Sequence, residues 1–201
     1  MRFPYKSNRL RADQSGVTAV EFGIVAPVLC LLLMGMFDIG FQGYAQSMLN
    51  GAMQDAGRRS SLEPTLITTQ ELDDDVRRMM LLIAPTAEFT FERRNYATFD
   101  DIGRPENFTD LNDNGECDDN EPFEDVNGNN TWDADQGRDG LGGARDAVIY
   151  TATAEYGRLF PLHGFIDGMD SQITLVGETV LRNQPYDEQA TRAVVVGNCS
   201  A

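Results

Sequence analysis

Residues 16–40 read GVTAVEFGIVAPVLCLLLMGMFDIG, and this stretch decides the fold. Residues 22–37 carry no charge, and together with residues 17–20 they make an apolar run that only Glu21 interrupts. A helix of about 20 such residues matches a hydrocarbon core about 30 Å thick. The sequence therefore predicts one N-terminal membrane-spanning helix.

Charge is divided unevenly along the chain. Residues 1–16 carry a net charge of +3, whereas the whole chain of 201 residues carries −16. The positive-inside rule then places the N-terminus in the cytoplasm and the bulk of the chain outside it. So acidic a surface repels phosphate backbones, which argues against nucleic acid as a partner. It suits an extracytoplasmic head, or one that binds cations.

Two simpler interpretations of the apolar run compete with a membrane span in which Glu21 has a function. A cleaved secretory signal would end in a small-residue cut site, and residues 38–46 contain no good one. A plain signal anchor fits the hydropathy but leaves Glu21 unexplained, because a carboxylate near the end of a membrane span is costly. A purely structural role for Glu21 at the helix start, where the helix dipole favours an acid, stays open.

Gly16, Val17, Glu21 and Phe22 are spaced as in a prepilin peptidase site, where the cut follows a glycine and a glutamate stands five residues later. Residues 19–40 resemble the TadE-like proteins, pseudopilins of the tight-adherence pilus system. The resemblance implies a leader (1–16) removed by prepilin peptidase, and Glu21 pairing with the new amine of a neighbouring pilin-like subunit. It also implies a minor pilin or pseudopilin of the bacterial inner membrane that contacts lipid and a pilus assembly platform. Its head would lie in the periplasm or on a surface pilus that serves adhesion.

The remaining pattern predicts an α+β protein with a pilin-like head. Apolar residues at three- and four-residue steps continue the first helix over residues 17–60, and Gly57 with Arg58 and Arg59 predicts its end. Thr68 and Glu71 form a capping-box pattern before a second helix over residues 69–84. Runs at 88–94, 147–156, 172–182 and 193–196 predict strands of a small, mostly antiparallel sheet. The head then comprises residues 61–201.

Residues 110–140 form an acidic insertion in that head, with eleven acids against one arginine. Calcium loops of the EF-hand type take oxygen ligands from positions 1, 3, 5, 7, 9 and 12, with glycine at position 6. Counted from Asp110, the ligand positions hold Asp110, Asn112, Asn114, Glu116 through its backbone, Asp118 and Glu121, with Gly115 at the turn. Counted from Asp125, they hold Asp125, Asn127, Asn129, Thr131 through its backbone, Asp133 and Gln136, with Asn130 at the turn.

This spacing predicts structural calcium, and an unfolded acidic loop is the alternative. Gln136 is not an acid, which leaves the twelfth ligand of the second loop to Asp135 or Asp139. The string over residues 125–133 also resembles the calcium loops of dockerin and thrombospondin type 3 repeats.

Cysteine and histidine usage bounds the remaining chemistry. An oxidising compartment would allow Cys117 and Cys199 to pair, although sequence says nothing of the distance between them. His163 is the only histidine, and neither a zinc site nor a phosphate loop is predicted, so we expect no enzyme. A membrane-tethered, calcium-binding adhesin that never enters a fibre is the alternative to a pilus subunit.

Overall fold

The computed structural model describes residues 16–62, 68–143, 145–182 and 194–200. Its elements are α1 (Val17–Leu62), α2 (Thr69–Leu81), β1 (Glu88–Tyr96), β2 (Pro122–Asp125), β3 (Arg138–Asp139), β4 (Ala147–Gly157), β5 (Gln172–Arg182) and β6 (Val195–Asn198). A long apolar helix precedes a small antiparallel sheet, which confirms the predicted α+β class. Of the predicted leader, only Gly16 lies within the described residues.

The chain divides into two compact units, and α1 contributes to both. The first unit contains α1 up to Gly43 together with Arg158–Gln172. Among the described residues, α1 is the one helix long and apolar enough to cross a membrane, and none of its most apolar window is buried. Pro27 lies inside the helix without ending it. This helix is therefore a candidate membrane span, as the sequence predicted.

The second unit contains the remainder of α1 from Tyr44, which packs against β5. A Cβ atom built on Gly177 of β5 would lie 2.8 Å from Cγ of Leu49, so the strand backbone lies close against the helix. The Gln46 side-chain amide donates a hydrogen bond of 2.8 Å to the Val176 carbonyl. The helix residues that this packing buries are Ala45, Leu49, Ala52, Met53 and Ala56.

Gly57 with Arg58 and Arg59 was predicted to mark the end of a helix over residues 17–60, and α1 ends at Leu62, two residues later. Gly57 lies beside β5 instead, where a Cβ atom would come 3.0 Å from Cδ2 of Leu181 and 3.2 Å from Oγ1 of Thr179. Glycine suits this close approach, because a larger residue would require the Leu181 or Thr179 side chain to shift, and the helix accepts its modest propensity cost.

The main sheet has the strand order β3-β1-β4-β5. β1 and β4 pair antiparallel in a continuous register from Glu88 opposite Glu155 to Tyr96 opposite Ala147. Alternate β4 residues from Val148 to Tyr156 are buried, as the period-two pattern of a half-buried strand requires. β5 has the predicted bounds, whereas β1 runs two residues beyond its predicted end.

α2 begins with the predicted capping box between Thr68 and Glu71, and it ends at Leu81, three residues before its predicted end. Asp73 fastens this helix to the sheet. Its carboxylate accepts a 2.5 Å hydrogen bond from the Tyr150 hydroxyl and forms an ion pair with Arg93. The Arg93 guanidinium also lies over the Tyr150 ring, 4.3 Å from its centre. Burial, and secondly the hydrogen bond to Asp73, raise the pKa of Tyr150.

Two strands within the acidic insertion, β2 and β3, were not predicted. β3 extends the main sheet beside β1, and β2 forms a separate two-stranded sheet with β6. The last strand begins at Val195 and pairs antiparallel with β2, from Pro122 opposite Asn198 to Asp125 opposite Val195. The predicted start of that strand at residue 193 lies outside the described residues. The chain terminus therefore packs onto the insertion.

Candidate functional site

Gly16 and Val17 stand at the very start of α1. The Gly16 carbonyl accepts a hydrogen bond of 3.2 Å from the Val20 amide, and Val17 is the first helical residue. The bond predicted to be cleaved thus joins the helix to the segment before it. Cleavage there would leave an α-amine at the end of a helix and preserve the helix itself.

Glu21 lies one helical turn beyond Val17, so the two residues share a face of α1. Both residues are exposed within the described chain, and Phe22 beside them is 68% exposed. A carboxylate on an exposed apolar helix is available to a neighbouring chain. This arrangement permits the intermolecular pairing that the resemblance implies.

The first acidic loop, residues 110–121, winds its backbone around the Asp110 carboxylate. That carboxylate accepts amide hydrogen bonds from Gly115 at 2.7 Å and from Asn112 and Asn114 at 3.2 Å each. These bonds, the one from Gly115 foremost, lower the pKa of Asp110. Gly115 has a φ of +80°, and Asp113 has a φ of +60°. The turn expected at loop position 6 is present.

Asp118 and Glu121 complete the first loop. The side-chain amides of Asn112 and Asn114 both donate to Oδ2 of Asp118, at 2.8 and 2.5 Å. Glu121 is 2% exposed, and its two oxygens accept the amides of Leu111 at 2.8 Å and Asp118 at 3.0 Å. Glu121 therefore closes the loop by binding residues at both of its ends.

The second acidic loop, residues 125–136, repeats this geometry around Asp125. Its carboxylate, 1% exposed, accepts the amides of Gly128 at 2.5 Å and Asn130 at 2.9 Å. Asn130 adopts a φ of +63°, the left-handed conformation expected where the first loop has glycine. The side-chain amides of Asn127 and Asn129 both donate 2.6 Å hydrogen bonds to Oδ2 of Asp133.

Glu106 closes the second loop, a role that the sequence analysis did not assign to it. Its oxygens accept the amides of Val126 at 2.7 Å and Asp133 at 3.1 Å, the positions that Glu121 binds in the first loop. Glu106 is 1% exposed. Trp132 covers this site, because its indole nitrogen donates 2.8 Å to the Glu106 carbonyl and its ring packs edge-on against Phe108.

A short repeat in the sequence carries the signal for Glu106. The pattern Glu-x-Phe-x-Asp followed by an aliphatic residue, Asn, any residue and Asn begins at Glu106 and again at Glu121. The two phenylalanines of the repeat, Phe108 and Phe123, face each other in an antiparallel bridge. Each repeat therefore provides the glutamate that closes the loop of the other repeat.

The candidates for the twelfth ligand of the second loop lie elsewhere. Asp135 accepts hydrogen bonds from the Tyr96 hydroxyl at 2.9 Å and from Arg94 at 3.0 Å. Asp139 lies in β3, where it is the strand partner of Arg94 in β1. The Gln136 amide group donates to the Asp101 carbonyl at 3.4 Å. Burial first, and then the bond to Asp135, raise the pKa of Tyr96 to about 12.

A disulfide joins Cys117 in the first loop to Cys199, whose Cα atom is 5.7 Å away. The Cys199 amide also donates 2.8 Å to the Glu121 carbonyl, and the Asn120 amide donates 3.2 Å to the Cys199 carbonyl. Together with the pairing of β2 and β6, these bonds hold the C-terminal strand against the insertion. Cys30, in α1, is free and exposed.

Asparagine amides supply much of the oxygen in both loops. Among residues 16–62, 68–143, 145–182 and 194–200, no group of three or more His, Cys, Asp or Glu side chains is disposed to hold a metal ion. In each loop the aspartate at position 9 instead accepts hydrogen bonds from two asparagine side-chain amides. Calcium coordination here would draw on amide and backbone oxygens as well as carboxylates.

Comparison with known proteins finds a family match for one region of the chain. Residues 16–58 match the family described as TadE-like protein, which confirms the resemblance drawn from Gly16, Glu21 and Phe22. This family is a structural one associated with the tight-adherence pilus. Neither curated proteins nor solved structures gave a match to the chain.

Proposed function

We propose that this protein is a minor pilin or pseudopilin of a tight-adherence pilus, cut by prepilin peptidase between Gly16 and Val17. The single observation that carries the proposal is that two boundaries coincide one helical turn before Glu21. The TadE-like match begins at residue 16, α1 begins at Val17, and the exposed carboxylate of Glu21 stands one turn beyond. A helix that starts at the cut site provides an amine at Val17, and the same helix of a neighbouring subunit provides Glu21 to pair with it.

The topology follows from charge and hydropathy. The basic residues precede the span, so the N-terminus lies in the cytoplasm and the head lies in the periplasm or on a surface pilus. In lipid, the new amine of one subunit and Glu21 of the next are far better paired than separate. Prepilin peptidase, other pilin-like subunits and the assembly platform are the corresponding partners.

The mass of the mature N-terminus tests the proposal. We expect purified protein to begin at Val17 and the Gly16→Ala variant to retain its leader. Gly23→Ala is the matched control, because it is another open glycine position of the same region and should be cut normally. Protein that begins at Met1 would instead support a membrane-tethered adhesin that stays outside the fibre. Protein that begins after the apolar run would lack the anchor and would contradict the pilin-like proposal.

Glu21→Gln separates processing from assembly. We expect this variant to be cut before Val17 but to associate poorly with neighbouring pilin-like subunits, because the amide cannot neutralise an ammonium group. Chemical crosslinking of the variant in membranes measures that association. Normal assembly of Glu21→Gln would leave Glu21 with a purely structural role and contradict the pairing.

We also propose that the two acidic loops bind structural calcium. Two observations support this proposal: both loops have the same left-handed turns, and a buried glutamate closes each of them. Calcium would offset carboxylates that otherwise repel one another within an insertion of net charge −10. Glu106, rather than Asp135 or Asp139, is the twelfth-position equivalent of the second loop.

A further inference from the structure

Arg158–Gln172 is a closed turn that belongs to the same compact unit as the apolar half of α1. The Arg158 amide donates 3.1 Å to the Ser171 carbonyl, and the Arg158 side chain donates 2.6 Å to the Asp170 carbonyl. These two bonds hold the ends of the turn together. Further in, the amides of Phe165 and Ile166 both donate to the Leu162 carbonyl, at 2.9 and 3.0 Å. The turn is therefore internally hydrogen-bonded.

An ion pair fixes this turn to α1 at Asp38. Nη1 of Arg158 lies 2.5 Å from Oδ2 of Asp38, and the Asp38 side chain is only 3% exposed. Asp38 follows Val17 along the helix by about 31 Å, at about 1.5 Å per residue. That distance is about the thickness of a hydrocarbon core, so Asp38 falls where the helix would leave the lipid.

The turn presents apolar side chains at this level. Residues 159–166 read LFPLHGFI and carry no formal charge with the histidine neutral. Leu162 faces inward and is 3% exposed, whereas Leu159, Phe165 and Ile166 are 53%, 68% and 48% exposed. On α1, Phe37 and Ile39 flank Asp38 and are also exposed. The turn that Arg158 joins to α1 at Asp38 thus exposes apolar side chains, as the apolar half of α1 does.

We propose that residues 159–166 insert Leu159, Phe165 and Ile166 into the lipid interface of the membrane that α1 spans, on the leaflet where α1 emerges. The proposal rests on the membrane placement of α1 given above. Lipid is the occupant because the turn is fixed to α1 at Asp38, where the span would leave the hydrocarbon core, and exposes apolar side chains there. Interfacial segments characteristically bury such side chains at the boundary between headgroups and acyl chains.

Depth-resolved quenching of tryptophan fluorescence in the full chain tests the proposal. Phe165→Trp is placed in phosphatidylcholine vesicles whose lipids carry bromine at shallow or deep acyl positions, and wild-type protein, with Trp132 alone, gives the background. We expect a blue-shifted emission that shallow bromine quenches at least twofold more than deep bromine. Leu82→Trp, at an exposed apolar position outside this unit, should match the wild-type background.

Phe37→Trp distinguishes failure of this inference from failure of the anchor. Quenching at Phe37→Trp without quenching at Phe165→Trp would overturn the inserted turn while leaving the membrane span intact. Quenching at neither position would contradict the membrane placement of α1 itself. A blue shift at Phe165→Trp that grows with protein density but ignores bromine would mean that another protein copy covers the turn, which also overturns the inference.

Discussion

Glu106 accepts in the second acidic loop the same two backbone hydrogen bonds that Glu121 accepts in the first. Each glutamate belongs to the repeat that opens the other loop, so the two loops are joined by an exchange of closing residues. A substitution of the glutamate in one repeat should therefore perturb the loop of the other repeat. This relationship allows the two proposed calcium sites to be tested separately.

Trp132 reports on the second loop because its indole nitrogen is bonded to the Glu106 carbonyl. We expect calcium to change its emission in the full-length protein in detergent, and Glu106→Gln to weaken that response at least tenfold in calcium concentration. Glu121→Gln is the matched control, because it should alter the first loop and largely spare the fluorescence response. Equal effects of both variants on Trp132 would contradict the assignment of Glu106 to the second loop.

Calcium should also raise Tm. A site filled at ten times its dissociation constant stabilises the folded state by about 1.4 kcal/mol, or about 3–5 °C for a chain of this size. Differential scanning calorimetry with calcium and with chelator measures this shift. No shift at millimolar calcium would exclude the calcium sites while leaving the pilin-like proposal untouched.

The longer helices and strands of this fold were predictable, whereas most contacts between distant segments were not. α1 and β5 followed from apolar periodicity, which is a local property of the sequence. Gly57 lies five residues before the end of α1, so its interpretation as part of a helix-end signal was nearly right. Its close approach to Leu181 and Thr179 of β5 was not predictable, because it depends on tertiary packing.

The acidic insertion shows the same limit at the candidate site. Spacing alone placed the turns at Gly115 and Asn130, because loop ligands follow one another along the chain. Ligand spacing did not predict the role of Glu106, because this residue precedes the loop that it closes. Glu106 reaches that loop only through the pairing of the two repeats. β2 was missed because its proline and acids are poor strand formers, and its partner β6 lies at the far end of the chain.

The disulfide between Cys117 and Cys199 should contribute strongly to the stability of the head. It closes a separation of 82 residues, for which the loss of unfolded-chain entropy corresponds to about 4.5 kcal/mol. We expect the Cys117→Ser and Cys199→Ser double variant to lose about that much stability in urea unfolding. Cys30→Ser is the control and should unfold like the wild type. Equal stabilities of the double variant and Cys30→Ser would show that β6 is held without the bond.

Tyr96 should ionise late in an alkaline titration, because burial and the bond to Asp135 raise its pKa to about 12. The neutral hydroxyl thus adds stability that is fully present below about pH 10, the ordinary tyrosine pKa, and is lost as the pH rises towards 12. The ultraviolet difference titration between wild type and Tyr96→Phe isolates this step. Asp135→Asn should lower the pKa of Tyr96 only in part, since burial remains. A Tyr96 step near pH 10 in the wild type would contradict the buried hydrogen bond.

Asp38 and Arg158 should be energetically coupled, because their ion pair has one side chain almost fully buried. Removal of the guanidinium in Arg158→Gln leaves a buried carboxylate without its counter-charge. We expect this change to cost about 2–3 kcal/mol in the local opening of Arg158–Gln172, reduced from the fully buried case because Arg158 retains some exposure. Hydrogen exchange at the Phe165 and Ile166 amides measures that opening and should accelerate about thirtyfold or more.

Asp38→Asn combined with Arg158→Gln completes the cycle. The double variant removes both charges, so its amides should exchange more slowly than those of Arg158→Gln alone, with a coupling of about 2 kcal/mol. Amides in the pairing of β1 with β4 serve as the internal control and should be unchanged. If the two single effects simply add, Asp38 and Arg158 do not hold the turn against α1, and its position beside the membrane span must depend on the packing of Leu162.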